Sequence, residues 1–406
     1  MVGAFPLQKR NGQRPGIHGG SPEIARAEDD RLQVTDQKLG RGKGRGQYLS
    51  QCHRQGRRTA PFPGAEPMRV WLGRSVLMMF SGAMAGCDPG PALQNFGGPT
   101  MGSGYSVSYV RHPGQPDVRV VQPEVEAILA EVDQQMSTWR SDSDVERFNV
   151  MPVNQCQIMP PAVLDLVRVG EHLSRETQGA FDLTVLPLMN LWGFGPQSRG
   201  QQVPTARELA RAHERVGYRH LSIDNRRLCK DADVEIDLSS MAAGYTVDRI
   251  AARLDELGVH DYLVQVTGEL KVKGRKPDGS AWRVALEAPR DDQQIAQKIF
   301  ALDGCGVSTS GDYRHYFEYE GHRYSHTLDA LSGAPVDHDL ASVTVIHPSA
   351  LMADGLSTLL LILGPERGWD YAQQHQIAAF FVIRADKRFM IRSNPAFDRL
   401  CAVQSQ

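Results

Sequence analysis

The sequence predicts an α+β fold of mixed, largely antiparallel sheets with packed helices. Three observations lead to it. Val125, Ile128, Leu129, Val132 and Met136 form one apolar stripe of an amphipathic helix over 123–136. From Tyr262 onward the chain is mostly strand-like, with hairpin signals at Pro277-Asp278-Gly279 and Glu320-Gly321. A strand-like run at 342–346 then feeds a helix over 352–364 that closes at Gly364 and Pro365.

Taken in order, the first 67 residues are rich in Gly, Arg, Gln and Pro and carry hardly any apolar periodicity, so they read as a disordered leader or an upstream extension. A basic run beginning at Met68, a short apolar run and small residues before Cys87 follow. That is the pattern of a signal peptide over 68–86, too short for a stable transmembrane helix. Met84-Ala85-Gly86-Cys87 resembles a bacterial lipobox, which makes Cys87 the expected lipid-bearing first residue, with translation starting at Met68. Residues 87–99 read as a tether, and 100–406 as the folded domain.

Thr100 to Gly104 reads as a turn into an alternating strand at 105–110. After the helix of the apolar stripe, Ser143-Asp-Val-Glu146 has capping-box spacing, and a helix at 162–178 stops at Gly179. The region 179–196 is rich in Gly, Pro and aromatics, as pocket walls and ordinary loops both are. Thr205-Ala-Arg-Glu208 opens a helix to Val216, and strands are expected at 221–223 and 234–238. Asp237-Leu-Ser-Ser240 leads into a helix stopping at Gly258, and a strand-to-helix joint of this kind offers an anion site. Strands are expected at 262–266, 270–273, 282–286, 316–319 and 322–325. A polar connection is expected over 306–313, a short helix at 366–374 and a strand at 378–383.

The chain has 406 residues and a formal net charge of −2. No basic excess points to nucleic acid. Six cysteines occur with no CxxC pair, so a zinc or thioredoxin-like motif is not indicated. An exported chain would face an oxidising compartment, but the spacing leaves any disulfide pairing open.

Within the helix over 352–364, Asp354, Ser357 and Thr358 stand at i, i+3 and i+4 on one face, ahead of the apolar run 359–363. A carboxylate and two hydroxyls fixed on a buried helix are hard oxygen donors suited to Mg²⁺. The competing reading is that Asp354 and Ser357 merely complement the helix N-terminus.

Several stretches, in order, resemble the ApbE family of FAD:protein FMN transferases. They are Thr100-Met101-Gly102, Met136-Ser-Thr-Trp139, Ser143 to Asn149, Gly179-Ala-Phe-Asp182, Asp237-Leu-Ser239, Ser308-Thr-Ser-Gly-Asp-Tyr313, Tyr324-Ser-His-Thr-Leu-Asp329, and Ala353-Asp-Gly355 with Thr358. The resemblance implies a T-fold-related architecture with the flavin site in a cleft between subdomains. It implies Mg²⁺-dependent transfer of FMN from FAD to a threonine of a target protein, with release of AMP. By the same resemblance Ser240, Asp354, Ser357 and Thr358 fall at metal positions, and Met101, Trp139, Ala180, Phe181, Asp182, Asp237 and Leu328 at flavin-nucleotide contacts. His326 and Asp354 are the candidate catalytic residues, with His326 handling the acceptor proton or touching the pyrophosphate. Its competing role is a structural histidine bonded to Asp329.

The implied partner is a membrane-associated redox subunit, and the implied place is the periplasmic face of the bacterial inner membrane, held by lipid at Cys87. Ala243 stands where relatives commonly have Lys or Glu, Thr267 replaces a usual glycine and Ala330 a usual proline. The first change leaves open two alternatives: a flavin-binding accessory protein for maturing a periplasmic enzyme such as nitrous oxide reductase, or an FAD diphosphatase.

Overall fold

The structure is a computed structural model that describes residues 90–290, 296–385 and 388–402. The expected leader at 1–67, the signal segment at 68–86 and Cys87 lie outside the described residues.

Ala92–Thr100 (β1) and Ser103–Arg111 (β2) form a hairpin closed by Met101 and Gly102. Over 92–99 this corrects the tether expected at 87–99. Its Gly and Pro residues sit in an edge strand, where proline is tolerated because one side of the strand needs no ladder. Phe96 fixes the strand by packing edge-on to Tyr105 and Tyr109, with ring centroids at 6.3 and 6.4 Å.

Val118–Met136 (α1) starts a turn before the expected helix, capped by the Asp117 carboxylate. Asp144–Asn149 (α2) is capped by the Ser143 hydroxyl, which accepts from the Glu146 N–H. Gln155–Ile158 (β3), Pro161–Glu176 (α3), Leu186–Trp192 (α4) and Ala206–His213 (α5) follow, the last with the full Thr205/Glu208 capping box. Leu221–Asp224 (β4) and Arg227–Lys230 (β5) pair, and β5 also pairs with β3. A disulfide between Cys156 and Cys229 joins β3 to β5. The strand expected at 234–238 does not form. There the Asn149 side chain takes the place of a ladder, accepting from Ile236 N–H at 2.8 Å and donating to its carbonyl at 3.0 Å.

Ser239–Glu256 (α6) leads to Tyr262–Val266 (β6) and Glu269–Lys273 (β7). Trp282–Glu287 (β8) does not pair with β7 as the turn at Pro277-Asp278-Gly279 suggested. It pairs with Ala296–Leu302 (β9) instead, because Trp282, Val284 and Leu286 are apolar on one face and cover the main sheet. Cys305–Gly311 (β10) is a central strand, not the polar connection expected over 306–313. Its serines and threonines hid an alternation in which Gly306, Ser308 and Ser310 share one face. Tyr316–Tyr319 (β11) and His322–Ser325 (β12) form the expected hairpin, followed by the short pair Leu328–Asp329 (β13) and Ala334–Pro335 (β14). Leu340–His347 (β15), Ala350–Gln374 (α7), Ala378–Ala385 (β16), Arg388–Ser393 (β17) and Pro395–Ala402 (α8) complete the described chain.

Among the described residues, the main sheet has eight strands in the order β1-β2-β6-β7-β10-β15-β16-β17, and its ladders are antiparallel. One face is covered by α1 and α6 over β2 and β6, and by α3 and α7 over β15 and β16. The hairpin β8–β9 and α8 cover the other. A separate small core gathers α4, α5 and the β11–β14 region around Trp192 and Leu328. Helix α7 breaks at Gly364, whose φ of 79° suits glycine, just before Pro365. Proline has no N–H for the Leu361 carbonyl, and His338 Nε2 lies 2.9 Å from that oxygen in its place. No helix among the described residues is long and apolar enough to cross a membrane.

Candidate active site

The site follows from how closely α6 and α7 cross. A Cβ on Gly244 would stand 2.3 Å from the Ala350 carbonyl oxygen and 2.7 Å from Asp354 Cβ. Glycine there lets the two helices touch by their main chains. The start of α7 is tied down by Asp248 of α6, which accepts from the Ser349 hydroxyl at 2.7 Å, the Leu351 N–H at 3.0 Å and Lys271 Nζ at 2.7 Å. Ser349 caps the helix through the Met352 N–H. Capping therefore does not fall to Asp354. The helix opens two residues earlier than expected, and Asp354 points across to α6, accepting from the Gly244 N–H at 2.9 Å.

The serines of β10 meet this face of α7. Ser308 Oγ lies 3.4 Å from Asp354 Oδ1 and 3.1 Å from Ser357 Oγ. Ser310 Oγ lies 2.8 Å from Ser357 Oγ and 3.1 Å from Thr358 Oγ1. Glu269, at the start of β7, faces the same space. The Thr267 hydroxyl donates to it at 2.7 Å, and Thr267 itself is held at a φ of 55°, a strained value for a β-branched residue. Burial and then the negative charge of Glu269 push Asp354 well above the usual carboxylate range. Burial also raises Glu269. A buried carboxylate, Asp354, and a half-buried one, Glu269, thus face each other among hydroxyls.

These groups form one wall of a cleft of about 270 Å³ between the main body and the small core. Of the residues expected at the site, Phe181, Asp182, Asp237, Ser240, His326, Leu328, Asp354 and Thr358 line it. Asp237 accepts from the Ser239 N–H at 2.8 Å and the Thr138 hydroxyl at 3.4 Å, which joins the loop after α1 to the start of α6. Both Asp182 oxygens are engaged by Thr184 and by the Tyr218 N–H at 2.8 Å, and burial raises its carboxyl. His326 is not bonded to Asp329. Its Nδ1 lies 3.2 Å from the His315 carbonyl, and its ring meets those of His315 and Phe194 edge-on. Burial, with His315 beside it, pushes its imidazole down to about 4. It is neutral at pH 7 and a weaker base than its sequence position suggested.

Four expected residues do not line the cleft. Ser357 lies behind it, bonded to Ser308, Ser310 and the Asp354 carbonyl. Ala180 is buried, and its carbonyl accepts from the Ala330 N–H. Met101 is at the tip of the β1–β2 hairpin, and Trp139 is 72% exposed, one residue from Thr138. Glu269, Arg314 and His315 line the cleft but were missed in the sequence. The available signal for Glu269 was Thr267, an ordinary residue where glycine is usual.

The folded region matches known proteins along its length. The model of the ApbE family matches residues 101–381. The chain belongs to the ApbE family. A Vibrio cholerae relative, an FAD:protein FMN transferase, is 39% identical over 331 residues, covering 81% of this chain and 98% of its own. One from Haemophilus influenzae with the same name is 36% identical, covering 78% and 94%. The crystal structure of the apo flavinyl transferase ApbE of Pseudomonas stutzeri superposes with a TM-score of 0.73 at 56% identity, covering 77% of this chain and 97% of that one. The flavin transferase ApbE of Vibrio cholerae gives 0.72 at 38% identity, covering 76% and 99%. The mixed sheet-and-helix architecture is therefore that of ApbE-family flavin transferases.

Proposed function

We propose that the chain is an Mg²⁺-dependent FAD:protein FMN transferase that links FMN to a threonine of a target protein and releases AMP. The observation that carries this reading is the charge of the cleft. Asp182, Asp237, Glu269 and Asp354 line it, against Arg314. Asp354 and Glu269 are already held up by burial, so a diphosphate entering beside them adds to the electrostatic load that a bound cation would relieve, letting both carboxylates ionise. The donors fit magnesium, since Asp354, Glu269, Ser240 and Thr358 offer only hard oxygens. Among the described residues no group of three or more His, Cys, Asp and Glu side chains could hold a metal, so hydroxyls, main-chain oxygens and substrate phosphates would complete the shell. When bound, the ion would neutralise charge on the diphosphate.

The protein's own groups then do the following. The first turn of α6, at Ser239 and Ser240, turns its positive end toward phosphate oxygens. Phe181 and Leu328 give the flavin nucleotide apolar surface. The threonine oxygen bonds to the FMN-side phosphorus as the bond from that phosphorus to the bridging oxygen breaks. The bridging oxygen leaves on AMP with the bonding electrons. His326, neutral at pH 7, is the acceptor for the hydroxyl proton.

We further propose that the protein works at the periplasmic face of the bacterial inner membrane, anchored through lipid on Cys87, on a membrane-associated redox subunit. The basic and apolar run before Cys87 supports this. The test is incubation with FAD, MgCl₂ and a purified acceptor domain. Flavin fluorescence fixed to the acceptor in a denaturing gel supports transfer. Free FMN and AMP without labelled acceptor points to a diphosphatase, and intact bound FAD to an accessory carrier.

A further inference from the structure

A second groove, of about 700 Å³, runs beside the cleft and shares Thr267, Glu269, Thr309, Tyr313 and Arg314 with it. Its far wall is made by four successive residues, Val284 to Glu287 of β8. Side chains alternate across a strand, so four in a row can line one groove only if the strand presents its main-chain edge. Among the described residues β8 pairs on one side alone, with β9. Its other edge therefore carries N–H and C=O groups without a ladder. The near wall has the same property. Strand β10 pairs with β7 only over 305–307, while its ladder to β15 continues to Gly311. Among the described residues its edge beyond Val307 carries no ladder, and Thr309 there lines both cavities. The floor between the two edges includes Ser103, Gly104 and Gly268, small residues that leave room for another main chain.

An open strand edge attracts stray strands unless it is covered or used. Here two open edges border one groove, and that groove leads to the cleft. We propose that the groove receives the acceptor segment of the target protein as an extended strand along β8, which delivers the threonine into the cleft past Glu269 and Arg314. This deepens the transferase reading and rests on it. The occupant is a protein segment because main-chain edges recognise main chain, whatever the side-chain sequence. Arg314 is ion-paired with Glu287 at the junction, which places a polar gate where the segment would bend toward the diphosphate.

The test fills the groove and leaves the cleft alone. Ser106 and Gln265 are cross-strand partners that line the groove, on the face of the sheet away from α1 and α6. Ser106→Trp and Gln265→Trp, made separately in the full chain, are assayed for FMN transfer to a purified acceptor domain that the wild type labels. The expected result is a KM for the acceptor at least tenfold higher, with FAD affinity by flavin fluorescence and melting temperature unchanged. Hydrogen exchange of the wild type should show protection of the amides at 284–287 when the acceptor domain binds. Wild-type KM in both variants, with no protection at 284–287, overturns the groove and leaves the transferase reading standing. Failure of the wild type to label any acceptor domain, with FAD bound, overturns both.

Discussion

The two walls of the cleft are built on different principles. On the wall of α6, α7 and β10, polar groups are fixed by main chains closer than a methyl group allows, at Gly244 against Ala350. The hydroxyls of Ser308, Ser310, Ser357 and Thr358 bond one another, and Asp354 is buried beside them. Behind the opposite wall, at His326 and Leu328, lies a stack of rings. Tyr324 lies between Phe317, at 5.2 Å, and Trp192, at 5.3 Å, and Phe194 reaches from Phe317 to His326. The first wall sets charge at a fixed place, and its groups cannot relax. The second supplies shape and a neutral imidazole, and its rings can shift. Breaking the first should therefore remove chemistry, and breaking the second should weaken it.

The largest effect is expected for Asp354→Ala, with FMN transfer lowered on the order of 10³-fold in an acceptor-labelling assay. Asp354→Asn should show the electrostatic side. Burial and Glu269 raise the Asp354 carboxyl in the folded protein, so its contribution to stability is present at low pH and lost as pH rises through the raised value. Without metal, the wild-type melting temperature should fall as pH rises above the ordinary carboxylate range. The Asn variant should fall less, and Mg²⁺ should no longer raise its melting temperature at pH 8.

His326→Gln, on the ring wall, should lower kcat by roughly 10²-fold. Because the imidazole is held down to about 4, the wild-type pH profile should show no limb near 6.5, and His326 should be neutral above pH 5. The imidazole charges in the unfolded chain before it charges in the folded one. Its contribution to stability is therefore complete above the ordinary histidine value of 6.5 and lost as pH falls toward 4. A limb at 6.5 that disappears in His326→Gln would contradict the assigned environment.

Gly244→Ala places a methyl group against Ala350 and should cost about 1–3 kcal/mol in denaturant unfolding, with weaker Mg²⁺ binding by calorimetry. The smallest effect is expected for Thr267→Gly, which relieves the left-handed strain. It should stabilise the fold by about 1 kcal/mol while releasing the hydroxyl that holds Glu269.

Much of this was legible in the residues. Helix spacing alone put Asp354 and Thr358 on one face, and capping boxes marked α2 and α5. The ordered motifs brought Asp182, Asp237, Ser240, His326 and Leu328 to the cleft. What stayed hidden depended on long-range contact. The serines of β10 read as a connection because hydroxyls on a buried strand look like a loop until α7 covers them. The strand β1 read as a tether because an edge strand accepts Gly and Pro. Glu269 carried no signal of its own, since its meaning comes from Asp354, a partner on a different element. The Cys156–Cys229 pair needed the β3–β5 ladder to become visible.

The central claim is that the paired carboxylates of Asp354 and Glu269 admit a diphosphate only together with a cation. Calorimetric titration of FAD into the protein, once with MgCl₂ and once with EDTA, tests it most directly. The account predicts FAD affinity at least tenfold higher with magnesium, and loss of that difference in Asp354→Ala. Equal affinity in EDTA and in magnesium would contradict it.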